Sequence, residues 1–278
     1  MIVGLWMIGS GIAAGVFGSL LGLGGGILIV PLLTLGFGLP LREAVGVSLV
    51  SVMMTSSAAA GVYLERHVAN LRLGMTLELF TAIGALAGGS VAFLLDERLL
   101  SFLFALLLAY VALTMIQARS RETAIGAADT PDVDPSPAAV QPPMPTVLDR
   151  LGGEGYRVRN LGRGILGAVG AGVASALLGI GGGIIKVPLM HLAMGVPLRV
   201  ATATSNLMIG ITAAASSVIY LIHGGIDPYV AGPTGIGVFV GATAGSRLGH
   251  RVDLRFLRLL FVVVLGYTAF EMLLRAVG

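Results

Sequence analysis

The chain has 278 residues, of which 56% are hydrophobic and only 11% charged. Together with a mean hydropathy of +0.95, this excludes a soluble domain with a wetted surface. The net charge of +3 comes from arginines in loops, which suits membrane orientation and offers no basic face for nucleic acid. Cysteine is absent, so disulfides, thiolate metal sites and thiol chemistry are ruled out.

Along the chain, apolar stretches cover residues 2–37, 44–64, 73–95 and 99–117, then 164–195, 201–222, 228–248 and 256–274. Most have the roughly 20 residues needed to cross a ~30 Å hydrocarbon core, so hydropathy alone counts about eight segments. The start, Met1 to Trp6, lacks the positive region of a signal peptide, and the first stretch is expected to be retained. Between the two sets, residues 119–163 place Asp129, Asp132, Asp134, Asp149 and Glu154 among Pro131, Pro135, Pro137, Pro142, Pro143 and Pro145. That composition cannot pack a core and predicts a solvated, disordered linker. It separates a first membrane unit, residues 1–118, from a second, residues 164–278.

The two units are copies. Gly22-Leu23-Gly24-Gly25-Gly26-Ile27 returns as Gly179-Ile180-Gly181-Gly182-Gly183-Ile184, an offset of 157 that persists without a gap. It pairs Pro31 with Pro188, Arg42 with Arg199, Ser48 with Ser205, Thr55 with Thr212, Tyr63 with Tyr220, Gly84 and Gly88 with Gly241 and Gly245, and Tyr110 with Tyr267. Glycines four apart let helices approach closely, and packing is the favoured account of those pairs. Duplicated membrane units are the usual build of secondary transporters.

Loop charges bear on orientation, because an inverted copy should carry the opposite arginine bias. Arg66 and Arg72 follow the second stretch, whereas the equivalent segment, residues 223–227, has no lysine or arginine. After the third stretch the bias flips, from Asp96-Glu97-Arg98 to Arg247, Arg251, Arg255 and Arg258. The expectation is an all-α, polytopic protein of two inverted repeats, with the linker cytoplasmic and both termini outside. Inversion needs an odd number of crossings per copy, so each repeat should be a glycine-broken re-entrant hairpin followed by three transmembrane helices. Two tilted single spans in a parallel duplication are the alternative.

Three adjacent glycines in lipid interrupt helical bonding where backbone N–H groups still need partners. Gly24, Gly25 and Gly26, with Gly181, Gly182 and Gly183, are therefore candidate donors to an anion, helped by the positive end of the following part-helix; close helix crossing is the competing account. Lys186 is the only lysine, and its copy is Ile29. A cation inside a membrane segment favours an anionic solute, unless it snorkels to the edge. Ser48, Ser205 and Asn206, near the break, can donate to an oxyanion, although such hydroxyls also bond their own helix. His67, His191, His223, Glu78 and Glu271 could carry protons, but most sit near segment ends, where a solvated face is the favoured account, and none is assigned to coupling. No dinucleotide or P-loop fingerprint is completed, no cofactor is implied, and no hydrolase or metalloprotease motif is present that would make the chain an enzyme.

These residues resemble the TauE/SafE sulfite exporter-like proteins, also called the four-toluene-sulfonate uptake permease family. The likeness lies in the run from Gly22 to Pro31 and its copy from Gly179 to Pro188, and in Gly46-Val47-Ser48 and Ala203-Thr204-Ser205. The resemblance implies an integral carrier of small anions in the bacterial inner membrane, typically of sulfite or organosulfonates such as sulfoacetate, which makes the outer side of the termini the periplasm. The expected partners are that anion and the lipid bilayer, and a homodimer is an assembly such a carrier can adopt.

Overall fold

The computed structural model describes residues 2–21, 25–65, 69–125, 156, 158–248 and 254–277. Every element among them is helical: α1 (Ile2–Leu21), α2 (Gly26–Pro31), α3 (Leu41–Glu65), α4 (Leu71–Leu94), α5 (Glu97–Ile125), α6 (Leu161–Leu178), α7 (Gly183–Pro188), α8 (Leu198–Ile222), α9 (Pro228–Leu248) and α10 (Leu254–Val277). Helix is the form in which an apolar segment satisfies its own backbone without water. Among the described residues, five helices are long and apolar enough to cross a membrane: α1, α4, α5, α6 and α8. The lengths of α3, α9 and α10, at 25, 21 and 24 residues, would also suffice. Residues 126–155, most of the expected linker, lie outside the described residues, and α5 runs on to Ile125.

Each copy opens with a long helix, a glycine break and a short helix. The short helix does not stop at its proline. Pro31 and Pro188 both take φ near −59°, a value the ring shares with a helix, and one π-helical turn follows each, Leu32–Gly36 and Leu189–Ala193. The wider turn absorbs the backbone bond that proline cannot make.

The copies exchange helices: α1 packs on α9, α6 packs on α4, and α3 packs on α8 at the centre. Gly84 and Gly88 of α4 lie directly on the backbone of Val169 and Val173 of α6, and Gly241 and Gly245 of α9 lie on Ile12 and Val16 of α1. These contacts are the same ones shifted by the 157-residue offset. The small residues thus serve packing, as their spacing predicts. Large apolar side chains such as Leu94, Leu166, Ile222 and Phe270 point outward, as a lipid-facing surface requires. The exchange sets α3 and α8 side by side and brings both glycine breaks to the interior.

Candidate functional site

The second break is held open by backbone geometry that only glycine adopts without strain. Gly179, Gly181 and Gly182 have φ of 68°, 72° and 74°, in the left-handed region. A β-carbon on Gly181 would also meet the side chains of Ile209 at 2.5 Å and Val52 at 2.7 Å, so α3 and α8 close on this elbow from both sides. Helical bonding in α7 begins with Ile185 and Lys186 N–H, which donate to Gly182 O at 3.2 and 3.0 Å. The N–H groups of Gly183 and Ile184 precede it, in the position where a helix start has no internal partners.

The first break is described from Gly25 onward; Gly24 lies outside the described residues. Gly25 has φ of 74° and is buried, as is Gly26. Gly26 meets the other copy directly: a β-carbon there would lie 2.5 Å from Gly179 O. The two elbows therefore touch. Ser48 ties them together, donating to Gly179 O at 2.7 Å and lying 3.2 Å from Gly26 O. Its hydroxyl proton is thus engaged with protein, the alternative that such hydroxyls also carry.

Its copy behaves differently. Ser205 is buried and its hydroxyl has no hydrogen-bond partner; Ser175 of α6, which sequence reasoning did not single out, is in the same condition. They flank the second elbow, Ser205 Oγ 3.7 Å from where a β-carbon of Gly183 would stand and Ser175 Cβ 3.4 Å from that of Gly182. A buried polar group without a partner costs roughly 1–3 kcal/mol, so an acceptor arriving there would recover that loss. Asn206 is buried nearby on α8, and its backbone carbonyl accepts the hydroxyl of Ser56 at 2.6 Å, a second link between the copies.

Lys186 neither snorkels nor stands free. It is 1% exposed, its stem passes Gly182, and its ammonium donates to Glu78 Oε2 at 3.0 Å and to Thr212 Oγ1 at 2.5 Å. Thr212 in turn donates to Glu78 Oε1 at 2.6 Å. Three side chains from α4, α7 and α8 thus form a closed buried ring. Glu78 also borders a cavity of about 150 Å³ between α4 and α8, whose wall includes Gly74, Met75, Thr204, Met208 and Ile211. Sequence reasoning counted Glu78 among residues near segment ends. The available signal was that the lone lysine and this glutamate each replace an uncharged residue of the other copy, Ile29 and Gly235. Ser175 and Asn206 follow the same rule, replacing Gly18 and Leu49. The polar groups gather on one elbow of a duplicated frame.

Residues 7–272 match the family described as Sulfite exporter TauE/SafE. The chain belongs to that family. Similar proteins carry the name probable membrane transporter protein: one from Bacillus subtilis, YunE, is 27% identical over 92% of both chains. One from Xylella fastidiosa is 29% identical over 90% of this chain and 84% of its own. A third, from Methanocaldococcus jannaschii, is 25% identical over 95% and 93%. No solved structure matches significantly. Family membership, relatives and apolar helices together make this TauE/SafE protein a multi-pass membrane transporter.

Proposed function

We propose that this protein is a secondary carrier of a small anion, sulfite or an organosulfonate such as sulfoacetate, working by alternating access in the bacterial inner membrane. The observation that carries the reading is the pair of unpartnered buried hydroxyls, Ser175 and Ser205, on either side of the second elbow. Hydroxyls and the N–H groups of Gly183 and Ile184 donate to an oxyanion without adding negative charge. Lys186, one turn further, supplies the positive charge, and Gly181 and Gly182 keep side chains out of the space. Gly25 and Gly26 form the opposing wall, and Ser48 holds the two walls together.

Alternating access draws support from the exchanged packing of the copies, since two like bundles around a central pair of elbows can rock against each other. The arginine bias of equivalent loops supports an inverted arrangement, with glycine-broken hairpins that enter and leave on one side, a cytoplasmic linker and periplasmic termini. No ATP-binding fingerprint is present, so uphill movement would draw on an ion gradient or the membrane potential.

The test is a binding screen of sulfite, sulfate, sulfoacetate, taurine and small carboxylates on detergent-purified protein, followed by flux in proteoliposomes. Binding of sulfite or a sulfonate, weakened by Ser205→Ala and Lys186→Ala, is the expected result. Binding that both variants leave intact would remove the second elbow from the site. Saturable exchange separates a carrier from a channel, which would show a voltage-driven current.

A further inference from the structure

The charges of Glu78 and Lys186 are additions to one side of the duplication, whereas Thr212, which both touch, has its counterpart in Thr55. The other copy packs with Ile29 and Gly235 at those places. Taking two charges out of water is costly, and apolar side chains of similar volume commonly serve stability as well or better. Packing therefore gives no reason for the pair. Its position does: Lys186 lies beside the elbow proposed to hold the solute, and Glu78, its partner, lines the cavity of about 150 Å³.

As long as Glu78 is ionised, its carboxylate occupies the ammonium, and an arriving anion would leave the buried site with net negative charge. When a proton from solution binds the carboxylate, the ammonium is released and can pair with the anion. Carboxylate plus ammonium and carboxylic acid plus ammonium plus monoanion carry the same total charge, zero. We propose that Glu78 is the proton-binding site that couples this carrier, so that one proton moves with each monoanion while the carboxylate and the anion alternate as partners of Lys186. The inference rests on the anion reading of the second elbow given above.

Among the described residues, the groups facing the carboxylate are few. Lys186 comes from α7 and Thr212 from α8. The segment of α6 packed on α4 brings Val169, Gly172 and Val173, none of them titratable, and the charged residue of α6, Arg163, is near its start. On α4 itself Arg72 is nearly two turns away. His191, beyond α7, is engaged with Val196 O at 2.9 Å. One proton is therefore the stoichiometry this arrangement supports.

The experiment uses purified full-length protein in weakly buffered detergent solution, mixed with methanesulfonate, whose charge is fixed over the neutral range, and separately with sulfite. A pH indicator reads proton uptake and calorimetry reads affinity. Wild type should take up about one proton per methanesulfonate bound, and its affinity should fall about tenfold per pH unit on the alkaline side. Glu78→Gln should bind with no proton uptake and a flat pH profile, and in proteoliposomes it should exchange anion while losing accumulation driven by a proton gradient. Lys186→Met should lose affinity at every pH. Wild-type binding without proton uptake, or an unchanged pH slope in Glu78→Gln, overturns the coupling and leaves the carrier reading standing. Failure of wild type to bind either anion overturns the carrier reading and the coupling with it. Should Glu78→Gln fail to fold, the wild-type proton count decides alone.

Discussion

Ser48 donates its hydroxyl to Gly179 O at 2.7 Å, a bond between positions 131 residues apart that fastens the third helix of one copy to the elbow of the other. Its counterpart, Ser205, is equally buried and bonds nothing. One serine fastens the two copies together, and its counterpart is left without a bond.

The two serines should therefore respond oppositely. Ser48→Ala removes the donor from a buried carbonyl and should cost about 1–3 kcal/mol, read as a lower thermal midpoint in detergent. Ser205→Ala breaks no bond and should leave that midpoint near wild type while weakening sulfite or sulfonate binding. Equal loss of stability in both variants would contradict the assignment.

What the sequence made legible was whatever repeats. The elbow glycines, the close-packing glycines on α4 and α9 and the pairing of the copies all follow from a fixed offset, because a backbone that must turn or approach closely leaves only glycine available. The ring of Glu78, Lys186 and Thr212 was hidden because it joins helices from both copies, and no local pattern announces a tertiary contact. The bond of Ser48 was open for a related reason: a hydroxyl beside the break could serve either elbow or solute, and its bond to Gly179 O depends on where the other copy lies. The π turns behind Pro31 and Pro188, which continue the helices to Gly36 and Ala193, have no signature in the sequence pattern.

On α6, two glycines two residues apart provide a matched contrast. A β-carbon on Gly172 would run into Thr81 O and Ala85 N of α4, whereas Gly170 has open space around it. Gly172→Ala should cost about 1–3 kcal/mol through overpacking against backbone that cannot move aside, whereas Gly170→Ala should be neutral or gain up to about 1 kcal/mol of helix propensity. Membrane yield and thermal midpoint check both. Gly15 of α1, whose added carbon would strike Val238 O of α9, is the counterpart of Gly172 and should repeat its loss.

Breaking the buried pair from either side should be worse than removing it. Lys186→Met leaves the carboxylate of Glu78 with only the Thr212 hydroxyl, and loss of one partner of a buried ion pair costs about 3–5 kcal/mol. Replacing Glu78 by Leu in the same background should restore most of that, since both desolvation costs disappear together. A double variant no more stable than the single one would show that the ring is structural in a way its charges do not explain. The double variant should also bind no anion, which separates recovery of the fold from recovery of the site.

Orientation is open to a direct experiment because the protein contains no cysteine, so one introduced thiol reports one position against a silent background. Ala69 precedes α4, and Tyr229, 88% exposed, stands near the start of α9, the copy of α4. If the copies are inverted, Ala69→Cys should react with a membrane-impermeant maleimide only from the cytoplasmic side, and Tyr229→Cys only from the periplasmic side. A parallel duplication would place both thiols on the same side. If the exchanged packing of α1 on α9 and α6 on α4 reflects a twofold relation between the copies, an axis lying in the membrane plane inverts one copy and an axis along the normal does not. Labelling from opposite sides would thus select the in-plane axis. The contact between Gly26 and Gly179 would then lie where half-helices entering from opposite faces meet, the arrangement in which a rocking motion can expose the second elbow to each side in turn.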